Sequence, residues 1–206
     1  MRLRSLQPRR AFTIMELLVV IAIMAVVAGL IVGLAGSTGD RKKISLAQVE
    51  LASLVTMIEA YKTKVGVYPP QGVSATRHTL LYELAGAVRS NSSPVSYVTP
   101  YGTINVNDLN TAFGATGIIN ARDEGSNDPD QSRAFPILKN AKSDQIASIQ
   151  PNSLSLVVPL DGPGGVRPNP WHYRVGANAT HNPESFDLWV EIKLRKGNRI
   201  IGNWKD

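Results

Sequence analysis

The sequence has no cysteine and only three histidines, His78, His172 and His181, in 206 residues. Without cysteine there is no disulfide framework and no thiol nucleophile, so packing alone must hold the fold. The histidines are widely separated along the chain, and no HExxH pair, glycine-rich phosphate loop or serine-nucleophile motif is present. We therefore expect a protein that is not an enzyme and that binds no cofactor.

Acidic residues are fewer than basic ones: 16 Asp and Glu stand against 22 Lys and Arg, which gives a net charge of +6 and a pI near 9.7. Such a balance is typical of proteins that bind nucleic acid or another polyanion. Four of the basic residues are arginines within residues 1–11, however, and without them 18 basic residues face 16 acidic ones. No Lys/Arg run is interleaved with aromatic residues, so we predict no nucleic-acid partner.

Charge is almost absent from the 24 residues between Phe12 and Ala35, where Glu16 is the one charged side chain. At about 1.5 Å per residue a helix of that length rises about 36 Å, enough to cross the hydrocarbon core of a membrane. We predict a transmembrane helix over residues 12–35, with a buried core helix as the alternative. A carboxylate inside such a helix is costly unless it is neutralised or reaches the headgroups, so Glu16 requires an explanation.

Three kinds of targeting segment fit this amino terminus. A secretory signal cleaved near residues 33–35 accounts for the apolar run, although the run is long for a signal. A twin-arginine signal accounts for Arg9-Arg10. A membrane anchor that is cut on its cytoplasmic side, before Phe12, is the one alternative that gives Glu16 a role.

Residues 10–21, RAFTIMELLVVI, resemble the class III signal of type IV pilins and type II secretion pseudopilins. The resemblance implies that a prepilin peptidase cuts between Ala11 and Phe12 and methylates the new amino group of Phe12. Glu16 is then the fifth residue of the mature chain, where that family has a glutamate. Two positions depart from the family pattern, because Ala11 replaces the usual Gly and Gly33 replaces a helix-bending Pro found in many members.

Elementary electrostatics gives Glu16 a purpose once Phe12 is the first residue. Cleavage creates a positively charged amino group at the membrane level, and methylation keeps the charge. In a filament the amine of a neighbouring subunit can lie against Glu16 in low dielectric, where an unpaired charge is heavily penalised. We therefore predict that Glu16 acts in filament assembly.

A second helical segment follows over residues 36–70, where apolar residues recur at spacings of three and four. Its predicted apolar face consists of Ile44, Ala47, Leu51, Leu54, Val55, Ile58 and Tyr61. Pro69 and Pro70 end the helix, since proline cannot continue it. We predict an α+β, pilin-like fold in which one long N-terminal helix, with a membrane half and an amphipathic half, packs on a small C-terminal antiparallel sheet.

Residues 71–150 give weaker signals and are predicted to be a variable, loop-rich insertion. A short helix is expected near residues 79–90, and residues 91–130 are rich in Ser, Asn, Gly, Thr and Pro, which is typical of loops. Residues 123–130 gather four acids around a glycine, a composition that suits calcium. Their spacing does not match an EF-hand, so a solvated acidic loop is the preferred interpretation and calcium the alternative.

Three β-rich segments, residues 154–158, 171–175 and 186–192, predict an antiparallel sheet within residues 151–206. Their order resembles the major pseudopilins, as does the closing Ile201-Gly202-Asn203-Trp204. The calcium loop of that subfamily does not appear after the Phe-Asp-Leu strand. We therefore do not expect its metal at this position.

The resemblance implies a structural subunit of a periplasmic pseudopilus for type II protein secretion. The expected partners are a prepilin peptidase, other pilin or pseudopilin subunits and the inner-membrane assembly platform. Residues 1–11 form a leader, and the arginines before the apolar run favour a cytoplasmic amino terminus with the C-terminal domain in the periplasm. The alternatives are a type IV pilus subunit for adhesion, motility or DNA uptake, and a secreted or single-pass anchored binding domain.

Overall fold

A computed structural model describes residues 13–126 and 134–204, with the side chains of residues 31–38 excepted. The described residues form three α-helices and ten strands, together with one-turn 3-10 helices at Ser143–Gln145, Pro163–Gly165 and Gly176–Asn178. In chain order the elements are α1 (Ile14–Val65), α2 (Leu80–Ala85), β1 (Ala87–Arg89), β2 (Ser96–Thr99), β3 (Gly102–Asn105), α3 (Val106–Phe113), β4 (Ala121–Asp123), β5 (Ile146–Ala147), β6 (Ser155–Val158), β7 (Asn169–Pro170), β8 (His172–Val175), β9 (Phe186–Leu194) and β10 (Gly197–Gly202). The α+β class with a long N-terminal helix is confirmed.

The strands form three small sheets. The first has the order β3-β2-β1-β4, in which β1 pairs parallel with β4 and the other pairs are antiparallel. The second is β5-β6-β7 and the third is β10-β9-β8, and both are antiparallel throughout. Short connections between consecutive strands favour this pairing.

Helix α1 crosses a boundary between two compact units, which meet in the sequence at Lys42 and Lys43. Within the second unit the predicted apolar face is confirmed, because Ala47, Leu51, Leu54, Ile58 and Tyr61 are buried and Ile44 and Val55 are partly buried. The helix ends just before Gly66, which adopts φ +90° and donates its amide to Lys62 O at 2.8 Å. This left-handed residue satisfies one of the last carbonyls and stops the helix before the prolines.

The core of the second unit lies between this part of α1 and the sheets. Strand β9 supplies Phe186, Leu188, Val190 and Ile192 to it, and Trp171 and Tyr173 come from the segment around β8. The predicted C-terminal strands are confirmed as antiparallel, but β6 pairs with β5 and β7 rather than with β8. Strand β10, which is mostly polar and exposed, lacks the alternation that predicts a strand.

The loop prediction for residues 91–130 is wrong, since β2, β3, α3 and β4 lie there. The short helix expected near residues 79–90 is confined to Leu80–Ala85 and is followed by β1. The polar residues that suggested a loop stabilise the ends of short elements instead. Asn105, for example, caps α3 by accepting the amide of Asp108 at 2.8 Å, a role for which Asn is well suited.

A buried carboxylate joins α1 to the first sheet. Glu83 of α2 is fully buried and accepts hydrogen bonds from the Ile119 amide at 2.9 Å, the Asn120 amide at 2.9 Å and the Tyr61 hydroxyl at 2.7 Å. Burial raises the pKa of Glu83, against the lowering effect of the hydrogen bonds from Asn120, Ile119 and Tyr61. Because Tyr61 belongs to α1, this cluster ties the end of the long helix to the body of the unit.

Candidate functional site: the first turn of the long helix

The predicted cleavage and methylation residues, Ala11 and Phe12, lie outside the described part of the chain, which begins at Thr13. Their role therefore stays a prediction. Glu16, the third predicted site residue, lies in the first turn of α1 and is exposed.

Thr13 and Glu16 bond to each other in both directions across that turn. The Glu16 amide donates to Thr13 Oγ1 at 3.2 Å, and Glu16 Oε2 accepts from both the Thr13 amide and the Thr13 hydroxyl at 3.4 Å. The Leu17 amide donates to Thr13 O at 3.2 Å and closes the first helical turn. These contacts form a capping box, in which a Thr and a Glu three residues later satisfy backbone groups that the helix leaves free.

The capping box was not predicted from the sequence, where Glu16 was considered only in relation to the membrane and to filament assembly. The signal was available, because a Thr followed three residues later by Glu at the start of an apolar run predicts this motif. The contact gives Thr13 a role as a positioning residue. It holds the Glu16 carboxylate beside the helix end, four residues after Phe12, the predicted new amino terminus.

The side chains around Glu16 are apolar and exposed on every side of the helix. Ile14, Met15 and Leu17 are 81%, 73% and 60% exposed. The described segment Ile14–Leu30 is a continuous apolar helix, which rises about 26 Å at about 1.5 Å per residue. Such all-round exposure of large apolar side chains is unfavourable in water, and it fits a single-pass membrane anchor.

A second part of α1, Gly39–Val65, is also long and apolar enough to cross a membrane by length and composition. Its position in the fold argues against that role. Ala47, Ile58 and Tyr61 are fully buried in the core of the second unit. The first turn of Gly39–Val65 carries four charged residues, 40–43. We therefore interpret Gly39–Val65 as a core helix and Ile14–Leu30 as the described part of the anchor.

Each of the three histidines contacts other residues of the second unit through a hydrogen bond or a ring stack. His78 is buried, with Nε2 at 3.0 Å from Trp171 O, and burial lowers its pKa to about 4. His172 stacks on Trp189 at 5.0 Å between ring centroids, and His181 stacks on Trp204 at 3.9 Å. In residues 13–126 and 134–204 no three His, Asp or Glu side chains come together as metal ligands. Half of the acidic stretch 123–130, residues 127–130, lies outside those ranges, so calcium there stays untested.

Residues 6–32 match the family model of the prokaryotic N-terminal methylation motif. This motif is the signature of type IV pilins and pseudopilins, and the match spans the predicted cut, Thr13, Glu16 and the apolar helix. It implies processing by a prepilin peptidase and assembly with other pilin-like subunits, and it indicates a structural subunit rather than an enzyme. No curated protein and no solved structure matches the chain.

Proposed function

We propose that the chain is a prepilin-like subunit of a periplasmic pseudopilus that serves type II protein secretion. A prepilin peptidase cuts between Ala11 and Phe12 and methylates Phe12, and the mature subunits then join a filament. The observation that carries the proposal is the position of Glu16. It is the one charged side chain in a long apolar run, it lies in the first turn of α1, and it falls within the matched motif.

The charge of Glu16 and the charge created by cleavage are complementary. Before the cut, Phe12 is joined to Ala11 by a neutral peptide bond, so no amine exists near the carboxylate. After the cut, the positive amino group of Phe12 and the negative side chain of Glu16 both lie at the start of the apolar helix. Subunits therefore cannot assemble before cleavage, because the ion pair between them has its carboxylate but not yet its amine.

The capping box sets where the carboxylate is presented. With Glu16 bonded to Thr13, its negative charge stays beside the first turn, where the positive end of the helix dipole also favours it. A neighbouring amine reaching this turn meets a carboxylate that is already oriented. Removing one partner of a buried ion pair costs about 3–5 kcal/mol, which is enough to select one register of packing between apolar helices.

In this proposal the subunit is inserted with its amino terminus in the cytoplasm, where the peptidase cuts, and with the second compact unit in the periplasm. The inner-membrane assembly platform recruits it through the exposed first turn. The second unit is then the part of the subunit that faces outward from the filament. The absence of cysteine, where adhesive pilins often carry a cysteine pair, favours a pseudopilus over a type IV pilus.

Filament recovery tests the role of Glu16. We expect Glu16→Gln to insert in the membrane and to be cleaved like the wild type. It should nevertheless yield about a hundredfold fewer filaments after the outer membrane is opened, because the neighbour's amine loses its partner. Glu59→Gln is the matched control, since it makes the same change on the exposed side of α1 in the second unit, and it should assemble normally. Normal assembly of Glu16→Gln would refute the pairing.

Antibody access in intact cells separates the pseudopilus from its alternatives. A periplasmic pseudopilus is hidden until the outer membrane is opened, whereas a type IV pilus is labelled on intact cells. A secreted or single-pass anchored binding domain forms no filament in either condition. Its mature chain starts near Gly36 if it is secreted and remains uncut at Met1 if it is anchored.

A further inference from the structure

A cavity of about 270 Å³ lies within the second unit, between α1 and the residues that precede β5. Its inner lining belongs to the core, since Leu54, Leu156 and Trp171 are only 7%, 3% and 1% exposed. All the residues that line the cavity lie in the second unit. The cavity is therefore built by one compact body, without the apolar segment Ile14–Leu30.

The outer lining of the cavity includes a stripe of side chains along α1. They recur about once per turn, which places them on one face of the helix, and they are Leu46, Val49, Glu50, Ser53 and Met57. Leu46 and Val49 are 39% and 66% exposed. The cavity thus opens to the surface beside apolar side chains that the described chain leaves uncovered.

Glu50 is the acidic side chain in this lining, and it is partly buried. Its Oε1 accepts a hydrogen bond from Gln145 Nε2 at 3.1 Å, and Gln145 Oε1 in turn accepts the Lys142 amide at 2.9 Å. These two bonds orient the carboxylate. Neither of the ion pairs formed within residues 13–126 and 134–204 includes Glu50, so its charge has no directly bonded cation there.

The surroundings of Glu50 favour an added positive charge. Burial, together with the charge of Asp144, raises the pKa of Glu50, against the hydrogen bond from Gln145 and the charge of Lys142. The two acids and one base leave an excess of one negative charge at the cavity. A carboxylate near an indole is a combination that attracts a cationic nitrogen, and Trp171 supplies the indole.

A long basic side chain has both properties that the cavity requires, because an aliphatic stem carries its charged head. The cavity is smaller than the range of about 300–1,000 Å³ that is typical of small-molecule pockets, which favours one side chain over a whole ligand. We propose that the cavity binds a Lys or Arg side chain of a partner polypeptide. The stem packs against Leu54 and Leu156, the head pairs with Glu50, and apolar residues next to that Lys or Arg cover Leu46 and Val49.

Binding of a defined peptide to the full chain tests the proposal. The protein is placed in phosphatidylcholine nanodiscs, and the probe is the capped peptide Gly-Leu-Lys-Leu-Gly with an uncharged fluorescent dye, followed by anisotropy against empty nanodiscs. Peptides with Gln or Glu in place of the Lys are the controls. We expect the Lys peptide to bind at least about tenfold more tightly than either control, which is the change that one charge-assisted bond produces.

Two variants assign this binding to the cavity. Glu50→Gln should bind the Lys and Gln peptides equally, whereas the matched change Glu59→Gln, at an exposed position of α1 outside the cavity, should keep the preference for Lys. Ala141→Leu adds volume to the cavity lining and should abolish binding of the Lys peptide. Equal binding of the three peptides to the wild type, or a preference for Lys that persists in Glu50→Gln, would overturn the proposal.

Competition separates a polypeptide from other occupants. Displacement of the Lys peptide by n-hexylammonium at the same concentration as by unlabelled peptide would overturn the assignment to a polypeptide in favour of a small cation. Weaker peptide binding with two subunits per nanodisc than with one would overturn it in favour of a second copy of this chain. The site goes beyond filament assembly through Glu16, since peptide binding can fail while filaments form, and filaments can fail while the peptide binds.

Discussion

Removal of the Glu83 carboxylate should destabilise the second unit severely. Glu83 is fully buried and accepts two backbone amides and the Tyr61 hydroxyl at 2.7–2.9 Å. In Glu83→Ala these three donors lose their acceptor, and each buried unsatisfied group costs about 1–3 kcal/mol. Even the lower sum, about 3 kcal/mol, is a large part of the stability of a typical domain, about 5–15 kcal/mol.

Partial variants give graded effects. Glu83→Gln keeps one acceptor oxygen, while the amides of Ile119 and Asn120 bond to different carboxylate oxygens, so one amide should lose its partner. Tyr61→Phe removes one buried hydrogen bond to Glu83 and should cost about 0.5–1.5 kcal/mol. The free energies of unfolding of both variants should lie between those of the wild type and Glu83→Ala.

The assay is urea unfolding of a fragment spanning residues 43–206, monitored by tryptophan fluorescence. Trp171 is buried in the core, so its emission should shift when the unit unfolds. Glu184→Ala, at an exposed position, is the control and should change the free energy of unfolding by less than about 0.5 kcal/mol. A Glu83→Ala fragment as stable as this control would refute the account of the cluster.

The pH dependence provides a second check on Glu83. Because burial raises the pKa of Glu83 in the folded state, its favourable contribution is fully present below the unfolded pKa of about 4.3 and is lost as pH rises through the folded pKa. As the pH rises through the folded pKa of Glu83, the free energy of unfolding of the wild type should therefore fall relative to that of Glu83→Gln. A difference between the two proteins that does not vary with pH would contradict the assigned shift.

Three further changes test other parts of the account. Burial lowers the pKa of His78 to about 4. The stability that its neutral ring provides is therefore present above about pH 6.5 and is lost as the pH falls toward 4, which should lower the Tm. In His78→Leu the Tm should fall less over the same pH range. Thr13→Val should cost about 1 kcal/mol of helix capping, seen as faster amide hydrogen exchange in the first turn with unchanged membrane insertion. Ala11→Gly, which restores the family's residue at the cut, should speed processing in a pulse-chase experiment, and an equal or slower rate would contradict the assigned cleavage site.

The parts of the fold that follow from long periodic patterns were predictable. The apolar face of α1 in the second unit repeats over several turns, and burial of Ala47, Leu51 and Ile58 follows from that repeat alone. The short elements between residues 87 and 123 were not predictable, because strands of three or four residues are too short to show a period. Their stability comes from pairing between segments that are distant in the sequence.

The site was predictable in part. Glu16 stands out because a charge in an apolar run is rare, whereas Thr13 is an ordinary polar residue until its spacing from Glu16 is considered. Glu83 could not be identified, since one carboxylate in the short segment LLYELA gives no sign of burial.

The mass and amino-terminal sequence of the mature chain test the central claim most directly. The protein is expressed in cells with and without a prepilin peptidase and is recovered from the membrane. The account predicts a chain that begins at methylated Phe12 when the peptidase is present and the full chain from Met1 when it is absent. A mature chain that begins near Gly36, or that remains uncut in the presence of the peptidase, would contradict it.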